Sequence, residues 1–232
     1  VFRMQFPVHA LAHRPLTAGA VAELVGLPAA SHVSDSFDAV DAVDAVDAEV
    51  QRRGWDWEHS LVCESFRTAD QHVLCSDSDN PFGDPDARTF LVFGELYPVD
   101  PHDESMANGS WLYGLMDRWQ EQPGWSGRRP CTIQDCEAVL AQAAQAVTEH
   151  LGAPPERTIS SSATVVTGPA LTHRIWRTST HALILGPAAD NGPYGYLTHV
   201  QLSCTPLTCG PDLPSTDDED GLVGWITAHI DW

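Results

Sequence analysis

Three histidines and two cysteine pairs are the side chains whose types and spacing could do chemistry here. His173, His181 and His199 lie in a polar stretch that also holds Arg174, Trp176 and Arg177. If the strands carrying them pair across the Asp190-Asn191-Gly192-Pro193 turn, residues of one parity share a face and the imidazoles approach one another. Three imidazoles can hold zinc and leave one position open for water, which makes a small hydrolase or lyase one reading of the chain. The plainer reading is half-exposed strand residues, with Trp176 in the core and both arginines paired to surface acids. Cys131-x4-Cys136 and Cys204-x4-Cys209 could together make a four-thiolate zinc site. The six cysteines, at 63, 75, 131, 136, 204 and 209, would also allow disulfides, while the plainer reading is reduced core thiols.

Other chemistries find no support. The chain has no Gly-x-Ser-x-Gly, no His-Glu-x-x-His and no Gly-x-Gly-x-x-Gly. Its basic residues are all arginine, so Walker-type phosphate binding and lysine Schiff-base chemistry are excluded. No cofactor is expected.

Charge is the dominant property. Twelve arginines stand against 32 Asp and Glu, a net charge of −20. Such a field repels phosphate backbones and anionic lipid and attracts cationic partners, so nucleic acid and membranes are excluded and a basic protein partner is expected. An arginine can be committed to a carboxylate in a forked contact or to a backbone carbonyl. The loop from Asp190 to Tyr196 is the candidate contact element: Asn191-Gly192 favours a tight turn, and Tyr194 and Tyr196 supply rigid amphipathic area. Acids of the Asp-Ala-Val repeat, Asp38, Asp41, Asp44 and Asp47, would supply long-range attraction.

The elements that must position these groups follow from periodicity. Thr17 caps a short helix over 16–27. The repeat predicts a second helix ending at Gly54, with Val40, Val43, Val46 and Val50 within an arc of roughly 120°. Strand texture begins at Trp55, and Gln71 to Cys75 returns as a hairpin arm. Thr89 to Tyr97 is the strongest strand in the chain, and Ser110 to Trp119 reads as a further one. Thr132 and Asp135 open a helix over 133–151, which Gly152 closes. Strands are expected over 163–167, over 174–185 as one long strand or a bent pair, and over 195–204. A helix follows the Thr216–Glu219 capping pattern. The eight tryptophans are scattered, and Trp119, Trp125 and Trp232 are least tied to a periodic pattern.

The order α-α-β-β-β-(β)-α-β-β-β-α predicts a single α+β domain over 1–232, with helices on one face of antiparallel sheet. From about Asp38 onward this element order resembles secretion-chaperone-type folds, and the acidity and size resemble the immunity proteins that bacteria keep beside toxins. Neither resemblance carries a motif. Both imply a non-catalytic cytoplasmic protein that masks a basic partner. Val1 to Pro7 lacks the charged and apolar regions of a secretory signal, in keeping with a cytoplasmic location.

Overall fold

The computed structural model describes residues 8–30, 39–58, 65–98, 110–161, 169–189, 198–210 and 212–230. Among these residues ten strands form one antiparallel sheet. They are β1 (Val8–His13), β2 (Asp56–Glu58), β3 (Ser65–Arg67), β4 (Val73–Ser76), β5 (Thr89–Pro98), β6 (Ser126–Arg128), β7 (Arg157–Ser161), β8 (Leu171–Arg177), β9 (His181–Ala189) and β10 (Thr198–Pro206). The main path runs β2-β3-β4-β5-β10-β9-β8-β7, and β1 joins β5 and carries β6. Among the described residues five α-helices pack on the sheet: α1 (Ala18–Gly26), α2 (Ala39–Arg53), α3 (Ser110–Gln120), α4 (Ile133–Leu151) and α5 (Glu219–Ile230).

The sheet forks at β5. One edge of β5 pairs with β4 as far as Val92 and with β1 from Gly94 onward. Its other edge stays with β10, and the register skips Phe93 between the Gln201↔Val92 and Val200↔Gly94 pairs. This bulge bends the strand where it changes neighbours.

Helices cover both faces, not the one face expected. The main core gathers Leu24 of α1, Val46 and Val50 of α2 and Leu140 and Val147 of α4 against Leu91, Phe93, Leu183, Leu185, Val200 and Leu202 of the sheet. Alternate strand residues point the other way. There Met116 and Trp119 of α3, with Trp125, meet Ala10, Ala12, Val73, Phe90 and Val92. Further along the same face, Leu222, Trp225, Ile226 and Ile230 of α5 meet Ile175, Ala182 and Ile184.

Local chemistry explains the helix ends. The Thr17 hydroxyl accepts from Ala20 N at 3.1 Å. Thr132 and Asp135 form the expected reciprocal capping box. Asp218, not Thr216, caps α5, accepting from Gly221 N at 2.8 Å. At the end of α2, Gly54 takes φ +69°. Its N–H donates to Gln51 O at 3.0 Å and that of Trp55 to Val50 O at 2.9 Å, closing a Schellman motif that turns Trp55 inward.

One strand expectation needs correction. The segment over Ser110–Trp119 is helical, because Met116 and Trp119, three apart, form the stripe that packs on β1 and β5. Trp119 and Trp125 are buried and stacked at 4.2 Å, while Trp232 lies outside the described residues. Of the two readings of 174–185, one long strand or a bent pair, the structure has a pair, the hairpin β8–β9. The strand expected over 163–167 falls outside the described residues.

Close approach makes one glycine indispensable. A Cβ on Gly186 would lie 2.4 Å from Cδ2 of His173, whose buried ring is anchored by Nε2 to Pro187 O at 2.9 Å. Gly186→Ala is expected to lower stability by about 1–3 kcal/mol, because the ring has nowhere to move. A chemical-denaturation midpoint equal to wild type would refute this.

Candidate functional site

The corner where α2 meets the sheet edge holds the features of a contact surface. The Schellman turn buries Trp55, whose Nε1 donates to Glu23, and sends the chain into β2, the outermost strand of the main path. Trp57 follows at 42% exposure, while Phe66 opposite it on β3 is buried. Two contacts fix the Trp57 indole. Its Nε1 donates to Asp47 Oδ1 on α2 at 2.8 Å, and its ring lies 4.6 Å from that of Phe66 at 33°. Val43 of α2 is 59% exposed, which corrects its assignment to the inward valine stripe; Val46 and Val50 alone among the described valine side chains make that stripe. Asp44 and Asp56 are exposed nearby in sequence. The result is a rigid half-open aromatic with carboxylates beside it.

The basic side chains of this corner are already engaged. Glu49 accepts from Arg52 and Arg53 at 2.6 and 2.7 Å, and Arg53 also lies over the Trp55 and Phe82 rings at 5.4 and 4.9 Å. These contacts, the Arg52 hydrogen bonds first, hold the Glu49 carboxyl down to about 2. The same holds elsewhere. Arg67, Arg88, Arg128, Arg174 and Arg177 pair with Glu58, Asp77, Asp135, Glu137 and Glu156, so at least seven of the eleven arginines among the described residues sit in ion pairs. Arg157 donates to the carbonyls of Pro214 and Ser215 at 2.9 Å, and Arg14 to that of Pro123 at 3.3 Å. With these arginines tied down, the remaining carboxylates dominate the outer field.

The second polar feature is internal. Glu95 of β5 and His199 of β10 are directly opposite in register, and His199 Nε2 lies 2.9 Å from Glu95 Oε2. On the same strand Gln201 Nε2 donates to Ser203 Oγ at 2.9 Å. All four are buried, on the face shared by α3 and α5. A carboxylate orienting an imidazole is the geometry of a general base. At 2% and 1% exposure, however, this pair does not meet a dissolved substrate.

The structure separates the three candidate histidines. His173 shares the face of His199, two strands away, a Cα separation of roughly 10 Å or more. His181 has the parity of Leu183 and Leu185 and so faces the other way, with Nδ1 2.9 Å from Thr180 Oγ1. The assumption that one parity unites them fails because β9 begins at His181, after a tight turn from β8. Burial pushes the imidazole of His173 down to about 4 and that of His181 below its ordinary value. The cysteine pairs stay apart as well. Cys131 and Cys136 meet at the start of α4, Cys204 is buried on β10 and Cys209 is exposed. Among the described residues no group of three or more His, Cys, Asp or Glu side chains is placed to hold a metal ion.

Of the expected contact residues, Asp44 and Asp47 lie at the α2–β2 corner, and Asp41 lies within α2. Asp38, Asp190, Asn191, Tyr194 and Tyr196 lie outside the described residues. Sequence reasoning missed Trp57 and Glu95. Asp-Trp-Glu is a polar setting for a tryptophan, and Glu95 is a lone acid within the most apolar strand; each is a signal that could have been weighed. Among the described residues no helix is long and apolar enough to cross a membrane. Comparison with protein-family models, curated proteins and solved structures found no match.

Proposed function

We propose that the protein is an acidic binding protein of the bacterial cytoplasm that masks a basic surface on a protein partner, as an immunity protein or secretion chaperone does. The observation that carries this reading is the α2–β2 corner, where Trp57 is held half-open by Asp47 and Phe66 in a molecule of net charge −20. An aromatic fixed before contact loses little conformational freedom on binding, which is the character of an interface anchor. The carboxylates of Asp44, Asp47 and Asp56 would steer a cationic partner toward it, and the Asp190–Tyr196 loop would add a second contact.

The reading predicts two separable effects. With a basic protein partner, the association rate should fall at least tenfold between about 20 mM and about 500 mM salt, as steered encounters do. Trp57→Ala should weaken binding by about 2 kcal/mol, chiefly through faster dissociation, while Asp44→Asn should slow association. Stopped-flow kinetics across a salt series reads both. An association rate indifferent to ionic strength would sink the proposal.

A further inference from the structure

The pair Cys131 and Cys136 is the cluster of reactive groups that the binding reading leaves unused. Their sulfurs lie 3.6 Å apart, and both side chains are buried. The positions have a structural logic. Thr132 is the N-cap of α4, so Cys131 precedes the cap and Cys136 is the fourth residue of the helix. Those two positions meet in a hydrophobic staple. Here the staple is made of two thiols, and its placement is over-determined. The Thr132 N–H and hydroxyl donate to Asp135 Oδ2 at 2.9 and 2.8 Å, and Arg128 pairs with the same carboxylate. The cap therefore holds the sulfurs facing each other before any bond is made.

We propose that Cys131 and Cys136 are a redox-active pair that closes to a disulfide across the N-cap of α4 in an oxidising setting and reopens in a thiol-rich one. The partner in the exchange is a low-molecular-weight disulfide such as oxidised glutathione. The Cys131 thiolate attacks one sulfur of that disulfide, breaking its S–S bond, releasing one thiolate and leaving a mixed disulfide on Cys131. The Cys136 thiolate then attacks Cys131 Sγ, forming the internal S–S bond and releasing the second thiolate. The protons of the two cysteines end on the two released thiols, so two protein thiols are oxidised and one external disulfide is reduced.

The order of attack follows from the local contacts. The hydrogen bond from Cys136 lowers the Cys131 thiol from its ordinary value and raises that of Cys136, which marks Cys131 as the first nucleophile. Cys131 is also the one near solvent, since Arg129, Pro130, Thr132 and Ile133 around it are exposed. Closure needs the sulfurs to move from 3.6 Å to the bond length of about 2.05 Å. Cys75 and Cys204 are buried and Cys209 is exposed. Burial pushes the Cys204 thiol up to about 12.

The test uses the full chain in its native state. The protein is equilibrated with reduced and oxidised glutathione at several ratios, alkylated, digested and mapped by mass spectrometry. The expected result is a peptide linked through Cys131 and Cys136, with Cys204 free, and a Tm higher by roughly 2–5 °C in the oxidised form. Cys131→Ser and Cys136→Ser should each abolish the linked peptide and the Tm increment. The mapping on wild type stands even if either variant folds poorly. Mixed disulfides at Cys209 without a Cys131–Cys136 link, or a link present only after denaturation, would overturn the proposal.

Discussion

Acidification from pH 6.5 to 4 is expected to remove much of the protein's stability, with about two protons taken up on unfolding. His72 and His173 carry the effect. Burial is the largest cause in both, and it pushes each imidazole from its ordinary 6.5 down to about 4. Arg14 adds to the lowering at His72, and the carbonyls of Pro15 and Pro187 oppose it at His72 and His173. In this window the unfolded chain binds a proton at each site and the folded chain does not. Stability is therefore fully present above 6.5 and falls as the pH drops toward 4, by roughly 2–3 kcal/mol per site. His13, His181 and His229 are lowered in the same direction, again chiefly by burial, and steepen the trend. The carboxylate of Glu49, held down to about 2, loses its contribution only below 4.5 and so acts in a separate range. Urea midpoints measured at intervals from pH 7.5 to 4 read the slope. His173→Gln should flatten it by about one proton, because an amide can still donate to Pro187 O but does not titrate. A wild-type midpoint that stays level from 6.5 to 4.5 would contradict the assignment.

Elements whose local signals agree were legible in the sequence, and those set by distant neighbours were not. α4 carries a capping box, a 3.6-residue stripe and a closing glycine, and it runs as expected from Ile133 to Leu151. β5 was legible because its apolar run is long and bounded by turns. α3 was not, since Trp111, Tyr113 and Leu115 favour a strand locally and only the packing of Met116 and Trp119 against the second face of the sheet selects the helix. β1 escaped because Ala10, Leu11 and Ala12 are all buried between β5 and β6, which erases alternation. β7 escaped for the opposite reason. It is a polar edge strand, Arg157 to Ser161. The second helical layer was foreshadowed in β10, where every residue from Thr198 to Pro206 is buried. A strand without a solvent parity must be covered on both sides. The candidate site was legible only in its acids. Asp44 and Asp47 could be read from the repeat, whereas the exposure of Trp57 depends on β2 ending the main path of the sheet, a fact of topology.

Removal of His199 is expected to be among the most damaging single changes in the molecule, because it acts where the sheet divides. Glu95 stands opposite Ala12 on one side and His199 on the other, two residues beyond the bulge at Phe93. Beside such a bulge a one-residue slip would turn every later side chain of β5 to the wrong face. A buried carboxylate that meets its imidazole in only one register penalises that slip. His199→Leu leaves the Glu95 carboxylate buried without this contact and should lower stability by about 3–5 kcal/mol. Glu95→Gln should cost less, since the amide oxygen still accepts from Nε2. The double replacement Glu95→Leu with His199→Leu should recover a large part of the loss, because two apolar groups of similar size leave no charge to desolvate. A double-mutant cycle from urea denaturation measures the coupling, and the expected value is at least about 1.5 kcal/mol. Additive losses would mean that the two side chains merely fill space. A recovered stability accompanied by a lower m-value or broadened amide spectra would instead locate the role of the pair in selecting the register, with packing supplying the stability.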